Sequence, residues 1–519
     1  MEINRDTSYL KCTRCPDVYT ESVTDYILPD YLGDVRKILH IDSSVRPAGR
    51  FASGDEVEFT GVVVYKVVYL DGEGQLGSAE FTSDYNYSVR CSADNYHDSV
   101  ADTRVSGCNL RLLGPRKINA RTTLVGSVRL VERCGISVSG SAFDCEYTPE
   151  INTGRVNISS CRLSSVCERE YAESMVHLDG AIGDELHVVY SSGECCVDEM
   201  VAEDGSLRLK GKILLCGVIK NGDEPAYGVE KAIPYDEKVE FSDIGEAMSF
   251  SPVMTITSLK LSVNNDESGC DVVASVIVEM YVVGEENEVV ELIYDGYLKE
   301  YLTDNSYADF SYRSFVEGMS VKASHSCDHL RGEIDADGLR EILFLSAEVK
   351  PEKVERENGR LILHGEVKYS GVASAMVDES VSYLGIKFSS PFSINVNHNC
   401  QIDDKMHIET NLSCLRATAS IDAERIYASC NIEGKVSVYS NNDKRLLVSM
   451  SKCEGEECRS EGAKITVYYP SADDTLFSVA KRFRTSGFKL ASDNDISATV
   501  FARDNETGSL DGVKKLIIY

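Results

Sequence analysis

The chain lacks the features that mark several large classes of protein. Its 519 residues include 53 basic and 84 acidic side chains, and the formal net charge of −31 disfavours binding to nucleic-acid phosphates and to anionic membrane surfaces. No segment approaches the roughly 20 consecutive apolar residues of a membrane-spanning helix. The first residues, MEINRDTSYLKC, have neither the basic nor the apolar region of a signal peptide. We therefore expect a cytoplasmic protein that is not secreted.

Catalytic motifs are also missing. The sequence has no phosphate-binding loop, no HExxH motif and no nucleophile elbow. The segment GEGQLG, Gly72–Gly77, has the spacing of a dinucleotide-binding fingerprint, but that motif needs a helix next, and the residues that follow alternate like a strand. We interpret it as a hairpin turn. The acidic residues are scattered, and no pair can be nominated as acid and base, so we expect a non-enzymatic protein without a cofactor.

Two groups of residues have the composition of metal ligands. Cys12 and Cys15 form half of a zinc site, but no second CxxC pair lies at finger spacing. A mobile amino-terminal thiol pair is the favoured interpretation. His325, Cys327 and His329 in the segment HSCDH are either metal ligands or part of a polar inter-domain loop, and the loop is favoured. We therefore predict no metal site.

The chain has 18 cysteines. In a cytoplasmic protein such residues are mostly reduced, and many of these lie inside apolar segments, as Cys216 does in KILLCGVI. We expect them to act as small core residues.

One pattern occurs three times, as VEFTGVVVYKVVYL, LRLKGKILLCGVIK and LILHGEVKYSGVAS. The central glycines are Gly61, Gly211 and Gly365, which lie 150 and 154 residues apart. Apolar residues flank each glycine at a period of two, which places them on one face of a strand, and the other face is partly polar. One dry and one wet face are typical of an antiparallel sheet. A returning strand opens on an aromatic residue in each copy: Tyr85, Tyr235 and Phe392.

The carboxy-terminal residues have a different character. ITVYYP reads as a strand, and DDTLFSVAKRF reads as a helix start in which Asp473 or Asp474 is the cap and Thr475 lies in the first turn. An apolar stripe runs along this helix at Leu476, Val479, Ala480 and Phe483. We predict a second helix and a closing strand, KKLIIY, after it. Residues 464–519 together carry eight basic and seven acidic side chains.

These patterns predict an all-β protein with three tandem β-sandwich-like repeats of about 150 residues, followed by a small α+β (βααβ) module. The predicted divisions are an amino-terminal extension, three repeats and the carboxy-terminal module, at 1–21, 22–168, 169–318, 319–455 and 464–519.

The carboxy-terminal module resembles a LysM domain, a family that generally binds N-acetylglucosamine polymers. The helix-opening run DDTLFSVAKRF, Asn494 and the final LIIY carry this resemblance. The family's binding loops imply a site at Asp474, Thr475, Leu476 and Phe477, together with Asn494.

The repeats are similar to the SPOCS domain of spore-forming Clostridia. The glycine-containing strands, the Pro-aromatic strands at Pro234 and Pro391, and the segment ESVTDYILPDYLGDVRKIL carry this resemblance. A SPOCS and LysM combination implies a spore coat assembly protein in the mother cell, located at the forespore surface. It also implies that the LysM module binds the coat morphogenetic ATPase (SpoIVA-like) at the base of the coat.

We therefore expect a non-catalytic scaffold that contacts this ATPase and other coat proteins, without nucleic acid or membrane insertion. The alternative is a protein that binds peptidoglycan of the wall or cortex through its LysM module. A hydrolase or transferase hidden in one β unit is a third hypothesis, which a repeated catalytic constellation would support. In a coat, the thiols could later be oxidised when the surrounding cell lyses.

Overall fold

The computed structural model describes residues 6–144, 146, 148–179, 185–222, 224–242, 244–245, 247–265, 269–334, 338–357, 359–377, 380–422, 424–457, 465–496, 510 and 512–519. These residues form seven antiparallel sheets, two short α-helices and two short 3-10 turns, at Ser141–Phe143 and Arg331–Ile334. The prediction of an all-β protein is therefore confirmed. Neither α-helix in the described ranges has the length and hydropathy needed to cross a membrane.

Three of the sheets have one connectivity, in which a middle strand pairs with the strand before it and the strand after it. We call them the meander sheets. The first contains β3 (Val35–Val45), β4 (Gly49–Ser53), β5 (Glu56–Asp71) and β6 (Leu76–Arg90), with β5 in the middle. The second contains β11 (Leu186–Glu203), β12 (Ser206–Asn221) and β13 (Tyr227–Glu240). The third contains β17 (Leu339–Glu357), β18 (Arg360–Val377) and β19 (Ser380–Val396).

Three further sheets are each built around one long strand, and we call them the long-strand sheets. The first joins β1 (Asp6–Arg14), β2 (Val18–Ile27) and β7 (Tyr96–Gly114) to the long strand β8 (Lys117–Ser137). The second joins β9 (Glu150–Leu163), β10 (Cys167–Asp179) and β14 (Ser249–Asn265) to β15 (Gly269–Tyr297). The third joins β16 (Tyr301–Leu330) and β20 (His407–Ile421) to β21 (Arg425–Glu457).

The last elements form a separate small sheet with two helices. They are β22 (Thr466–Tyr468), α1 (Leu476–Arg482), α2 (Gly487–Asp493) and β23 (Leu516–Ile518), and β22 pairs with β23. The order strand, helix, helix, strand is the one that the sequence pattern predicts.

Each meander sheet packs against one long-strand sheet to form an apolar core. In the first core Phe59 and Tyr65 of β5 lie with Leu124 of β8. The second core contains residues of β12 and β15, and the third contains residues of β18 and β21. These cores follow from the period-two alternation, because successive side chains of a strand point to opposite faces.

The three glycines of the sequence pattern lie in the three middle strands, each beneath an aromatic ring. Gly61, Gly211 and Gly365 are the register partners of Tyr85, Tyr235 and Phe392. A Cβ at these glycines would lie only 2.4, 2.5 and 2.7 Å from the ring atoms or hydroxyl of the paired aromatic residue. At Gly61 the aromatic side chain occupies the space that a Cβ would fill, whereas at Gly211 and Gly365 the carbonyl oxygens of Cys196 and Lys350 lie closer still, at 1.9 and 2.3 Å from an added Cβ. Glycine is therefore needed at all three positions.

The predicted divisions of the chain do not coincide with the ends of strands. The segment 1–21, predicted as an extension, supplies β1 and the start of β2. The boundaries at 168/169 and 318/319 fall inside β10 and β16. The sequence pattern marks the meander strands, whereas the strands that precede them have no comparable signature.

A further apolar cluster lies where the three meander sheets meet. Its centre is formed by His40, Tyr190 and Phe344, whose rings lie 4.1 to 5.8 Å apart between centroids. These residues are 150 and 154 positions apart, the spacing of the three glycines. Their register partners are Val68, Val218 and Val372, which are also buried in this cluster. We call the whole apolar cluster, including these six residues, the junction cluster.

The ring of His40 has no polar partner in this apolar site. It is 1% exposed, and neither ring nitrogen has a hydrogen-bond partner. Burial, with a smaller contribution from the positive charge of Lys387, lowers the pKa of His40 to about 4. The imidazole is therefore neutral in the folded protein at neutral pH.

We predict that acid weakens the fold through His40. The unfolded state takes up the proton near pH 6.5 and the folded state only near pH 4, so stability is lost as pH falls between these values. The loss should approach about 3 kcal/mol. Denaturant unfolding of the wild type and His40→Leu at pH 7, 6, 5 and 4 measures it, and the variant should show a smaller decline. Parallel curves for both proteins would contradict this account.

We also predict that the aromatic ring is the reason for glycine at position 61. Gly61→Ala should lower the free energy of unfolding by about 1–3 kcal/mol through overpacking. In a Tyr85→Ala background the same change should have little effect, because Tyr85 supplies the three atoms nearest to a Cβ at Gly61. A double-mutant cycle by denaturant unfolding measures the coupling.

The matched control for this cycle is Gly107→Ala, where a Cβ meets no atom within 4 Å. It should change stability by at most about 1 kcal/mol. Equal costs of Gly61→Ala with and without Tyr85 would show that the ring is not the cause.

Candidate binding site in the C-terminal module

The described residues of the C-terminal module, 465–496, 510 and 512–519, form a small apolar core that also includes Tyr297 of β15. Leu476, Val479 and Ala480 of α1 and Leu490 of α2 are buried against Leu516 of β23. The predicted apolar stripe of α1 therefore faces the core, and Phe483 packs at its margin.

Asp474 holds the loop before α1 in place. Its Oδ2 accepts hydrogen bonds from the Tyr468 hydroxyl at 2.6 Å and from Ser471 N and Oγ at 2.8 and 2.9 Å. These hydrogen bonds, with the Tyr468 bond first, lower the pKa of Asp474. The Asp474 side chain is mostly buried. Its hydrogen bonds fix the conformation of the loop before α1.

The helix cap is Thr475, which corrects the prediction that Asp473 or Asp474 caps α1. Thr475 Oγ1 accepts from Ser478 N at 3.0 Å, and Ser478 Oγ accepts from Thr475 N at 2.9 Å. This reciprocal pair is a capping box. The sequence analysis placed the cap one or two residues early because aspartate and threonine are both good caps.

The other three predicted site residues also have partners within the protein. Leu476 is 1% exposed in the module core. Phe477 packs edge-on against Tyr297 at the end of β15, with 5.4 Å between ring centroids. Asn494 accepts from Ile517 N at 2.6 Å and donates to Ile517 O at 2.7 Å and Leu490 O at 2.9 Å. It therefore ties the end of α2 to β23.

The sequence analysis missed an exposed apolar face on the same module. Ile465, Val467 and Tyr469 alternate along β22 and its flanks and are 56%, 51% and 71% exposed, and Tyr519 beyond β23 is 59% exposed. We call these four residues the outer face. The helices cover the opposite face of this two-stranded sheet, where Leu516 and Ile518 are buried. The signal was present in KITVYYP, in which apolar residues occupy both faces of the strand.

Polar contacts join the module to the end of β15, to the connection between β15 and β16 and to the first residue of β16. Lys481 Nζ lies 2.6 Å from Asp295 Oδ2, and the Tyr297 hydroxyl donates to Thr485 O at 2.6 Å. Arg484 Nη1 donates to the carbonyl oxygens of Leu298 and Tyr301 at 2.9 and 3.2 Å. The body of the protein therefore engages α1 and the α1–α2 turn and leaves the outer face exposed.

The metal-ligand candidates of the sequence are placed in strands. HSCDH lies inside β16, paired with β21, which corrects the prediction of an inter-domain loop. His325 is buried, and its Nδ1 lies 2.9 Å from the Tyr369 hydroxyl. The long alternation of β16 was missed because polar residues interrupt it. No group of three potential ligand side chains occurs in the described part of the chain.

The CxxC segment and the GEGQLG segment are also placed. Cys12 lies in β1, and Cys15 N donates to Val128 O at 2.8 Å, which corrects the interpretation as a mobile thiol pair. GEGQLG forms the turn between β5 and β6, as predicted, with Asp71 Oδ1 accepting from Glu73 N and Gln75 N.

A buried carboxylate joins the three long-strand sheets, and no sequence signal marked it. Glu285 of β15 has a side chain that is 4% exposed. It accepts from Arg129 of β8 at 2.6 Å, and from Lys435 at 2.6 Å and Ser437 at 3.1 Å on β21. The Tyr439 hydroxyl of β21 also donates to it.

The protonation of Glu285 is set by opposing effects. Burial raises its pKa, but the positive charges of Lys435 and Arg129 and the hydrogen bonds outweigh this and lower the pKa to about 2. The carboxylate therefore stays ionised across the physiological range.

Comparisons with protein-family models, with curated proteins and with solved structures gave no match to this chain.

We predict that Glu285→Gln destabilises the protein by about 3–5 kcal/mol, because it leaves two partly buried cations without their counter-charge. The folded-state pKa is depressed, so the contribution of Glu285 is present above about pH 4.5 and is lost as pH falls towards 2. Denaturant unfolding at pH 7 measures the first effect and acid titration of stability the second.

The matched control is Glu203→Gln, which removes an exposed carboxylate paired with Lys238. It should change stability little, because exposed ion pairs contribute little. A loss for Glu285→Gln no larger than that of the control would contradict the role assigned to the buried carboxylate.

Proposed function

We propose that the chain is a non-catalytic scaffold in spore coat assembly, recruited to the forespore surface by its carboxy-terminal module. In this proposal the body consists of three SPOCS-like repeats and the module is LysM-like, and its partner is the coat morphogenetic ATPase (SpoIVA-like). The sequence resemblance motivates the proposal. The common connectivity of the three meander sheets and the strand, helix, helix, strand order of the module support it.

The observation that carries the proposal is the contrast between the predicted binding residues and the outer face. Oδ2 of Asp474 and both amide atoms of Asn494 are already engaged inside the module. The exposed residues Val467 and Tyr469 are instead apolar or aromatic, which suits a protein partner. The predicted residues then position the loops, and the outer face makes the contact.

A scaffold also requires several contacts on one chain. When three similar units are joined in one chain, binding through one unit raises the effective concentration of the other two at the same partner assembly. The junction cluster and the buried Glu285 hold the three pairs of sheets together, so the units present their surfaces in a fixed arrangement.

The alternative function is binding of peptidoglycan glycan in the wall or cortex. The LysM resemblance favours it, since that family generally binds N-acetylglucosamine polymers. Recognition of a sugar requires polar groups that are available to its hydroxyls. A glycan that hydrogen-bonded to the Asn494 amide would break the bonds of this amide to the backbone of Ile517. This cost favours a protein partner over a glycan.

We predict that the full-length variant Val467→Ser/Tyr469→Ser binds the purified coat ATPase at least about 10-fold more weakly than the wild type, since buried aromatic anchors dominate interface energies. Biolayer interferometry measures the affinity. The matched control is Ile27→Ser/Tyr31→Ser, which removes an aliphatic and an aromatic residue of comparable exposure from the body and should bind normally.

Sedimentation with insoluble peptidoglycan tests the alternative on the same proteins. Pelleting that depends on residues 464–519, without binding to the ATPase, would overturn the scaffold proposal. Pull-down from sporulating cells with and without 464–519 then identifies other coat proteins that depend on the module.

A further inference from the structure

Two cysteines from different long-strand sheets lie in contact. Cys12 of β1 belongs to the first sheet and Cys161 of β9 to the second, and they are 149 positions apart. Their Sγ atoms are 3.0 Å apart, and the Cys161 thiol donates to Cys12 Sγ. A disulfide bond is about 2.0 Å long, so the two sulfur atoms need to approach by only about 1 Å to reach bonding distance.

The surroundings of this pair favour one order of reaction. Cys161 is 2% exposed, among Val100, Val131 and Val283, whereas Cys12 lies at the margin of this cluster. The hydrogen bond to Cys12 and burial raise the pKa of the Cys161 thiol. Cys12 is therefore the thiol that an oxidant in solution meets first.

We propose that Cys12 and Cys161 form a disulfide that fastens the amino-terminal strand β1 to β9. The oxidant is a low-molecular-weight disulfide such as oxidised glutathione. The Cys12 thiolate attacks one sulfur of the oxidant, and one thiol leaves. The Cys161 thiolate then attacks Cys12 Sγ, and the second thiol leaves.

This reaction balances without any other reactant. Two protein thiols lose two electrons and two protons, and one disulfide oxidant takes them up and becomes two thiols. Because a cytoplasm keeps such thiols reduced, the bond forms when the protein meets an oxidising environment.

The bond would join two sheets that side-chain packing and a few hydrogen bonds now hold together. β1 pairs with β8 in its own sheet, and its contacts with the second sheet include Leu10 N to Glu288 Oε2 at 2.8 Å. A second close pair, Cys414 and Cys430, lies on neighbouring strands of one sheet with 3.7 Å between sulfurs. A bond there would add no link between sheets.

The test is oxidation of the full-length protein in glutathione buffers of increasing oxidising strength. Remaining thiols are then alkylated, and peptides are mapped by mass spectrometry without reduction. We expect the peptide pair joined through Cys12 and Cys161 to appear before other pairs. We also expect the oxidised chain to migrate faster than the reduced chain on a denaturing gel, because the bond closes a loop spanning 149 positions.

The control variant is Cys15→Ser, which alters the neighbouring thiol of the same CxxC segment. It should retain the Cys12–Cys161 peptide and the gel shift, whereas Cys12→Ser and Cys161→Ser should lose both. A Cys12–Cys15 bond in the wild type, or no Cys12–Cys161 peptide when other thiols have paired, would overturn the proposal. The peptide map of the wild type keeps this test independent of how well the serine variants fold.

Discussion

The burial of both faces of the meander sheets is the constraint on which the body of this protein depends. In β5, Val67 belongs to the first core and its neighbour Val68 to the junction cluster. In β12, Ile219 and Val218 are divided in the same way. One face is covered by a long-strand sheet of nearby sequence and the other by the two remaining meander sheets. A single pair of sheets would leave one apolar face of its meander sheet exposed to water, which is unfavourable. Each pair therefore depends on the other two to bury that face.

The buried charge of Glu285 adds specificity to this apolar packing. Apolar contacts are non-directional and would tolerate small rotations of one sheet pair against another. Arg129, Lys435 and Tyr439 approach the same carboxylate from two other sheets, and each of these bonds has a required geometry. A displacement of one sheet would leave a buried charge without its partner, which is costly. The carboxylate thus selects one arrangement among those that the apolar surfaces allow.

The sequence was sufficient to predict the strands that carry a local signature. Gly61 and Tyr85 were correctly assigned to two strands, and the register pairs them directly. The prediction that the returning strand opens on the aromatic residue was wrong, because β6 already begins at Leu76. The junction could not be predicted in this way, because His40, Tyr190 and Phe344 meet only after three distant segments have folded. Their spacing matches that of the glycines, but one histidine, one tyrosine and one phenylalanine show no common chemistry in a sequence. The strand that contains HSCDH was missed for a related reason, since its pairing with β21 outweighs a polar local sequence.

In the C-terminal module, the resemblance to LysM domains pointed to residues whose side chains already have partners within the protein. It did not point to the exposed outer face. Phe477 lies against Tyr297, and Asn494 is hydrogen-bonded to both the backbone N–H and the carbonyl of Ile517 in β23. A ligand that used these two residues would have to displace the body from α1 and loosen the link between α2 and β23. A ligand on the outer face would disturb neither contact, since Val467 and Tyr469 point away from the module core. The proposed partner can therefore bind while the module stays attached to the body. A scaffold requires this, because it has to hold several partners at fixed positions relative to one another.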